Sequence, residues 1–190
     1  QYVFLRLFGL GRLLSLSGAF FLSTSLSFLI LGTVAEIDLI FAFFCSLALY
    51  AGGLSLRRKS LIWTLVGYFF SALAFLTKGP PVVFFYGASI TLLYLMLWRC
   101  ARVSEQRDGA MSFSRFLSFN ILGVLLFLLL ITAWIVPLAQ HVGWEVLSEQ
   151  LRVEVFERII EESSRGRGVL FYIEHLLAAL TPWCLFLVLG

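Results

Sequence analysis

Apolar residues in this chain run in long blocks broken by few charges, and such blocks fit a bilayer far better than a water-soluble core. The hydrocarbon core of a membrane is about 30 Å thick and takes a helix of about 20 apolar residues. Backbone groups in lipid must be satisfied within their own segment, so each span is expected to be helical. Six blocks can be marked: from about Leu13 to Val34, Leu39 to Leu56, Leu61 to Thr77, Pro81 to Trp98, Phe116 to Leu138, and Val169 onward. The third is short for a span. Charged residues make up 13% of the chain, against about 25% in a soluble domain. The pattern predicts an all-α polytopic transmembrane bundle of about six spans, residues 1–190 forming part of one transmembrane domain. The chain opens at Gln1 and is still apolar at Gly190, so a piece of a longer protein is expected.

Charge sets the expected topology. Arg6 and Arg12 precede the first block, Arg57, Arg58 and Lys59 follow the second, and Arg99, Arg102, Arg107 and Arg115 separate the fourth from the fifth. If the spans alternate, these nine of the 14 basic residues share one side, which the positive-inside rule makes cytoplasmic. The opposite side then carries Glu36, Asp38, Lys78 and the polar stretch 139–168, read as an extracytoplasmic loop holding an amphipathic helix. Function is expected on that outer face of an integral membrane protein.

Three outer-face features stand out, each with two readings. Asp38, in "LGTVAEIDLIFAFF", is either a helix N-cap or a functional carboxylate, because acids at a membrane edge are costly. Lys78, in "FLTKGPPVVFF", either snorkels to the interface or holds an anionic head group. Gly79 and Pro80 beside it read as the end of one helix and the start of the next. A helix N-terminus next to a lysine suits a phosphate. The segment "EVLSEQLRVEVFERIIEESSRGRGVLFY" repeats apolar residues near helical spacing, so it reads as a surface helix with glutamate–arginine pairs such as Glu149 with Arg152. The Arg165-Gly166-Arg167-Gly168 turn after it is either a phosphate clamp or a plain loop.

Other chemistry finds little footing. Cys45, Cys100 and Cys184 show no metal-ligand spacing and read as small buried hydrophobes. His141 and His175 have no neighbouring second ligand. A divalent metal stays possible, but the chain offers no ligand set for one, and no cofactor motif occurs. The basic residues follow membrane topology, so no nucleic-acid partner is expected.

Four stretches in order, "GTVAEIDLIFAFF", "LTKGPPVVFF", "TAWIVPLAQ" with "VEVFERI", and "FYIEHLLAALTPW", resemble the GT-C membrane glycosyltransferases of the protein O-mannosyltransferase and aminoarabinose lipid A transferase type. The resemblance spans nearly the whole chain. It implies a GT-C-like bundle in a bacterial inner membrane that transfers a sugar from a polyprenyl-phosphate donor to a lipid or protein acceptor on the outer face. It matches Lys78 and Arg158 to positions that bind the carrier's phosphate, Arg167 to a basic position before the last helix, and Asp38 to a supporting carboxylate at the cavity mouth. Where the family often carries His-x-x-Arg-Phe, this chain reads Val155-Phe156-Glu157-Arg158-Ile159. The family's catalytic Asp or Glu lies in a first outer loop, and by the resemblance this chain is expected to begin after that loop and the span before it, so the catalytic residue is not assigned. Two other classes suit a charged membrane protein: a transporter or channel, and a lipid-linked oligosaccharide ligase or polymerase. Transport paths use charged residues at mid-membrane, often in repeated halves, and neither pattern is seen here.

Overall fold

A computed structural model describes residues 2–7, 9–34, 37–103, 111–153, 178–181 and 183. Among these every regular element is helical: α1 (Tyr2–Leu7), α2 (Arg12–Ser23), α3 (Leu26–Val34), α4 (Ile37–Arg58), α5 (Leu61–Lys78), α6 (Pro81–Val103), α7 (Phe113–Val142) and α8 (Trp144–Arg152). Four of them, α4, α5, α6 and α7, are long and apolar enough to cross a membrane. Their broad exposed faces of Leu, Ile, Phe and Val belong against acyl chains, because that much exposed apolar surface has no place in water. The chain is an integral membrane protein.

The chain forms two compact units, Ile37–Trp134 and Gln1–Glu36 with Ile135–Gly190. In the first, α4 and α5 make a tight hairpin against which α6 and the first part of α7 pack. Lipid is as apolar as leucine, so close backbone approach and hydrogen bonds, rather than hydrophobic burial, hold such helices together. Small residues are accordingly buried on both helices of the hairpin, Ala48, Ala51, Gly52 and Gly53 on α4 and Gly67, Ser71, Ala72 and Ala74 on α5, with Gly67 close to the Ala48 carbonyl and Gly52 close to Ile90 of α6. The Tyr86 side chain of α6 reaches between the two helices: a Cβ at Gly67 would lie 2.3 Å from its hydroxyl, and one at Gly52 would lie 3.2 Å away. Two polar links cross the bundle. Ser55 and Thr64 pair their hydroxyls near the closed end of the hairpin, and Tyr68 on α5 donates to Asn120 Oδ1 on α7 at 2.9 Å. Tyr94 stacks on Phe116, with ring centroids 4.1 Å apart, closing α6 onto α7.

The second unit departs from expectation. The block from Leu13 to Val34 is not one helix but two, divided at Thr24–Ser25. The cause is local: Ser23 and Thr24 both turn their hydroxyls back to the Phe20 carbonyl, and Ser25 does so to Leu22. Consecutive back-bonding hydroxyls compete with the helical ladder and bend or break it. The new helix start is satisfied from elsewhere in the unit. Leu26 N–H donates to the Thr181 carbonyl at 2.9 Å, and Trp183 Nε1 donates to Thr24 Oγ1 at 2.8 Å. The Trp183 ring also packs on Phe20 and Phe21. The sixth expected span, from about Val169, lies almost entirely outside the described residues.

Two further boundaries differ. The fifth block extends as α7 through Pro137 to Val142, so the first residues of the expected 139–168 loop are still helical. Thirty residues make α7 about 45 Å long at 1.5 Å per residue, which exceeds a hydrocarbon core of about 30 Å. Gly143 then turns the chain at φ 95° into α8. There Arg152 pairs with Glu149 at 3.1 Å on an exposed face, while Leu147 is buried.

Candidate functional site

Asp38 and Lys78 stand two spans apart in sequence, and the α4–α5 hairpin brings them together. Asp38 lies in the first turn of α4 and Lys78 in the last turn of α5. Because the helices run antiparallel, those two turns form the open end of the hairpin. Lys78 Nζ donates to Asp38 Oδ1 at 2.5 Å. Each charge also sits well on its own helix, since a carboxylate is favoured at a positive N-terminus and an ammonium at a negative C-terminus. Asp38 makes no side-chain cap hydrogen bond among the described residues; its carboxylate goes to the lysine.

Lys78 has a second neighbour. Its Nζ lies 6.0 Å from the centre of the Phe41 ring, one turn along α4 from Asp38, close enough for a cation–π contact. The sequence gives that residue away only through spacing: positions 38 and 41 share a helix face. Immediately after Lys78, Gly79 adopts φ 79°, its N–H closing α5 on the Phe75 carbonyl at 2.7 Å. A side chain is strained at that φ, so glycine belongs there. Pro81 then opens α6, where its missing N–H costs nothing.

The pair is only partly covered, with the Lys78 and Asp38 side chains 39% and 44% exposed. At that exposure such a bond contributes roughly 0.2–1 kcal/mol. A lysine ammonium has three donors and Asp38 takes one, so the group can bind an additional anion without first losing its partner. Chemically the arrangement is a stationed cation at one end of a membrane bundle, oriented by a carboxylate and an aromatic face.

Arg158 and Arg167, the other expected phosphate ligands, lie outside the described residues, as do Glu36 and His175. His141 is in the last turn of α7. Among the described residues no three His, Cys, Asp or Glu side chains gather as a metal site. No family model, curated protein or solved structure matches this chain. The family resemblance therefore stands on its quoted motifs.

Proposed function

We propose that this chain is part of an integral-membrane glycosyltransferase of GT-C-like architecture, with six spans, which moves a sugar from a polyprenyl-phosphate donor to a lipid or protein acceptor. The active face is extracytoplasmic and the membrane a bacterial inner membrane. The observation that carries the proposal is the Lys78 ammonium, held by Asp38 at the open end of the α4–α5 hairpin. A carrier lipid reaches an enzyme from within the bilayer, so its phosphate arrives at a membrane edge. There a preorganised cation stabilises the charge that grows on the departing phosphate. Arg158 supplies a second, planar cation and Arg167 a third, by resemblance. Asp38 orients Lys78, and a carboxylate upstream of this segment removes the acceptor's proton.

The test uses the full-length protein that carries this segment, with limiting polyprenyl-phosphate sugar. A charge-assisted hydrogen bond is worth about 1.5–3 kcal/mol, so Lys78→Ala slows transfer about ten- to a hundredfold while membrane insertion is unchanged. Arg158→Ala has a similar effect, and Arg158→Lys restores little because the planar fork is lost. Asp38→Asn, which loses the carboxylate that orients Lys78, slows transfer by less than Lys78→Ala does, since the cation itself remains. Wild-type transfer by Lys78→Ala would make the Asp38–Lys78 pair a structural clasp and end the proposal.

A further inference from the structure

The opposite end of the Ile37–Trp134 bundle carries a second concentration of positive charge that the sugar-transfer proposal does not use. Arg57 and Arg58 close α4, Lys59 forms the turn, Arg99 lies near the end of α6, and Arg115 near the start of α7. Packing brings these helix ends together. Leu56, Tyr94, Met111 and Phe116, which neighbour these cations in sequence, all belong to one buried cluster. Among the described residues of this unit the only carboxylate is Asp38, at its other end. Glu105 and Asp108 lie outside the described residues.

The turn itself points to a use for the charge. Ser60 N–H returns to the Ser55 carbonyl at 3.2 Å, the long-range bond of a Schellman helix end, and the residue inside that turn is left-handed. Glycine, or less often asparagine, normally fills such a place because other side chains are strained there. Here it is Lys59, at φ 51°, the one non-glycine residue with positive φ among the described residues. Folding alone does not favour a lysine at that position. The depth of the cluster is also marked. Arg58 lies 5.7 Å over the Trp63 ring, and Trp98 directly precedes Arg99. Tryptophans collect at the headgroup level of a bilayer, which sets these cations in the phosphate layer.

We propose that this basic end of the bundle binds the phosphate headgroups of anionic phospholipids, with Arg57, Arg58 and Lys59 as the principal contacts. Basic clusters that merely orient a protein in the membrane need no lipid preference; a headgroup site has one. Arg57 and Arg58 are exposed and Lys59 is half-buried; near a charged surface each cation contributes about 1 kcal/mol toward anionic lipid, a factor of about five in binding.

The full chain, purified in neutral detergent, is titrated with dioleoylphosphatidylglycerol or dioleoylphosphatidylcholine, and bound lipid is counted by native mass spectrometry. Wild-type protein retains phosphatidylglycerol about a hundredfold more tightly than phosphatidylcholine, three cations' worth at about fivefold each, and millimolar inorganic phosphate does not displace it. Arg57→Gln with Arg58→Gln lowers that preference about 25-fold, leaving the share of Lys59. Lys59→Gly lowers it about fivefold, while its unfolding midpoint in lipid-free detergent is unchanged or higher, which separates loss of the site from loss of the fold. An unchanged preference in either variant overturns the proposal. So does displacement by inorganic phosphate, which would mark a site for free anions.

Discussion

The closeness of the α4–α5 hairpin sets where Asp38 and Lys78 meet, and Gly67 tests it. An alanine Cβ at that position would lie 2.3 Å from the Tyr86 hydroxyl, 3.2 Å from its ring carbon Cζ and 3.3 Å from the Ala48 carbonyl. The hydroxyl has little room to retreat, since it also stands 3.2 Å from where a Cβ on Gly52 would be, and the Tyr86 ring is fixed edge-on to Tyr68 at 5.1 Å. Overpacking of this kind costs about 1–3 kcal/mol, and the better helix propensity of alanine returns at most about 1 kcal/mol. Gly67→Ala should therefore lose about 1–2 kcal/mol net by that balance. Tyr86→Phe removes the offending oxygen and leaves the nearest ring carbon at 3.2 Å, a contact that small shifts relieve. The double variant should recover most of the alanine's loss, with a favourable coupling energy of about 1–2 kcal/mol. Reversible unfolding in mixed micelles, followed by circular dichroism as denaturing detergent is titrated in, measures all four proteins. A Gly67→Ala protein as stable as wild type, or strictly additive losses, would refute the packing argument.

Asn120→Leu leaves the Tyr68 hydroxyl without its partner on α7 and should cost about 1–3 kcal/mol in the same unfolding assay, with part returned by adding Tyr68→Phe. The charge partition predicts that Ser148→Cys reacts with a membrane-impermeant thiol reagent applied from the outer side of cells and Ser60→Cys does not. The reverse labelling would invert the topology.

The four long helices were legible because their signal is length and hydrophobicity, which need no knowledge of neighbours. The end of α5 and the start of α6 were legible too, because Gly79 and proline act through backbone geometry alone; the start was read at Pro80, and α6 opens one residue later at Pro81. The split in the first block was not read from its apolar pattern, which runs unbroken in composition. Its cause was still local: the run Ser23-Thr24-Ser25 offers three hydroxyls to the preceding carbonyls. The α4–α5 interface was likewise missed, although Ala48 with Gly52, Ala51 with Ser55 and Gly67 with Ser71 repeat small residues four apart. That spacing marks helix contact in lipid, where counting apolar residues cannot separate a buried face from a lipid-facing one.

The candidate site shows the same division. Sequence singled out Asp38 and Lys78 separately, as membrane-edge charges with ordinary explanations. Span alternation then placed both on one face. The hydrogen bond between them depends on which helices are neighbours, and that was set by the small residues between α4 and α5 rather than by the charges. A close hairpin brings its two open ends within reach of one another, so an acid in the first turn and a base in the last can bond directly. With wider helices the same two charges would each be satisfied by its own helix dipole and by water. The geometry of the pair at the membrane edge is thus inherited from glycine and alanine deep in the bundle. This is why Gly67, far from either charge in sequence, is a more searching test of the arrangement than the ion pair itself, whose partial exposure limits what its removal can reveal.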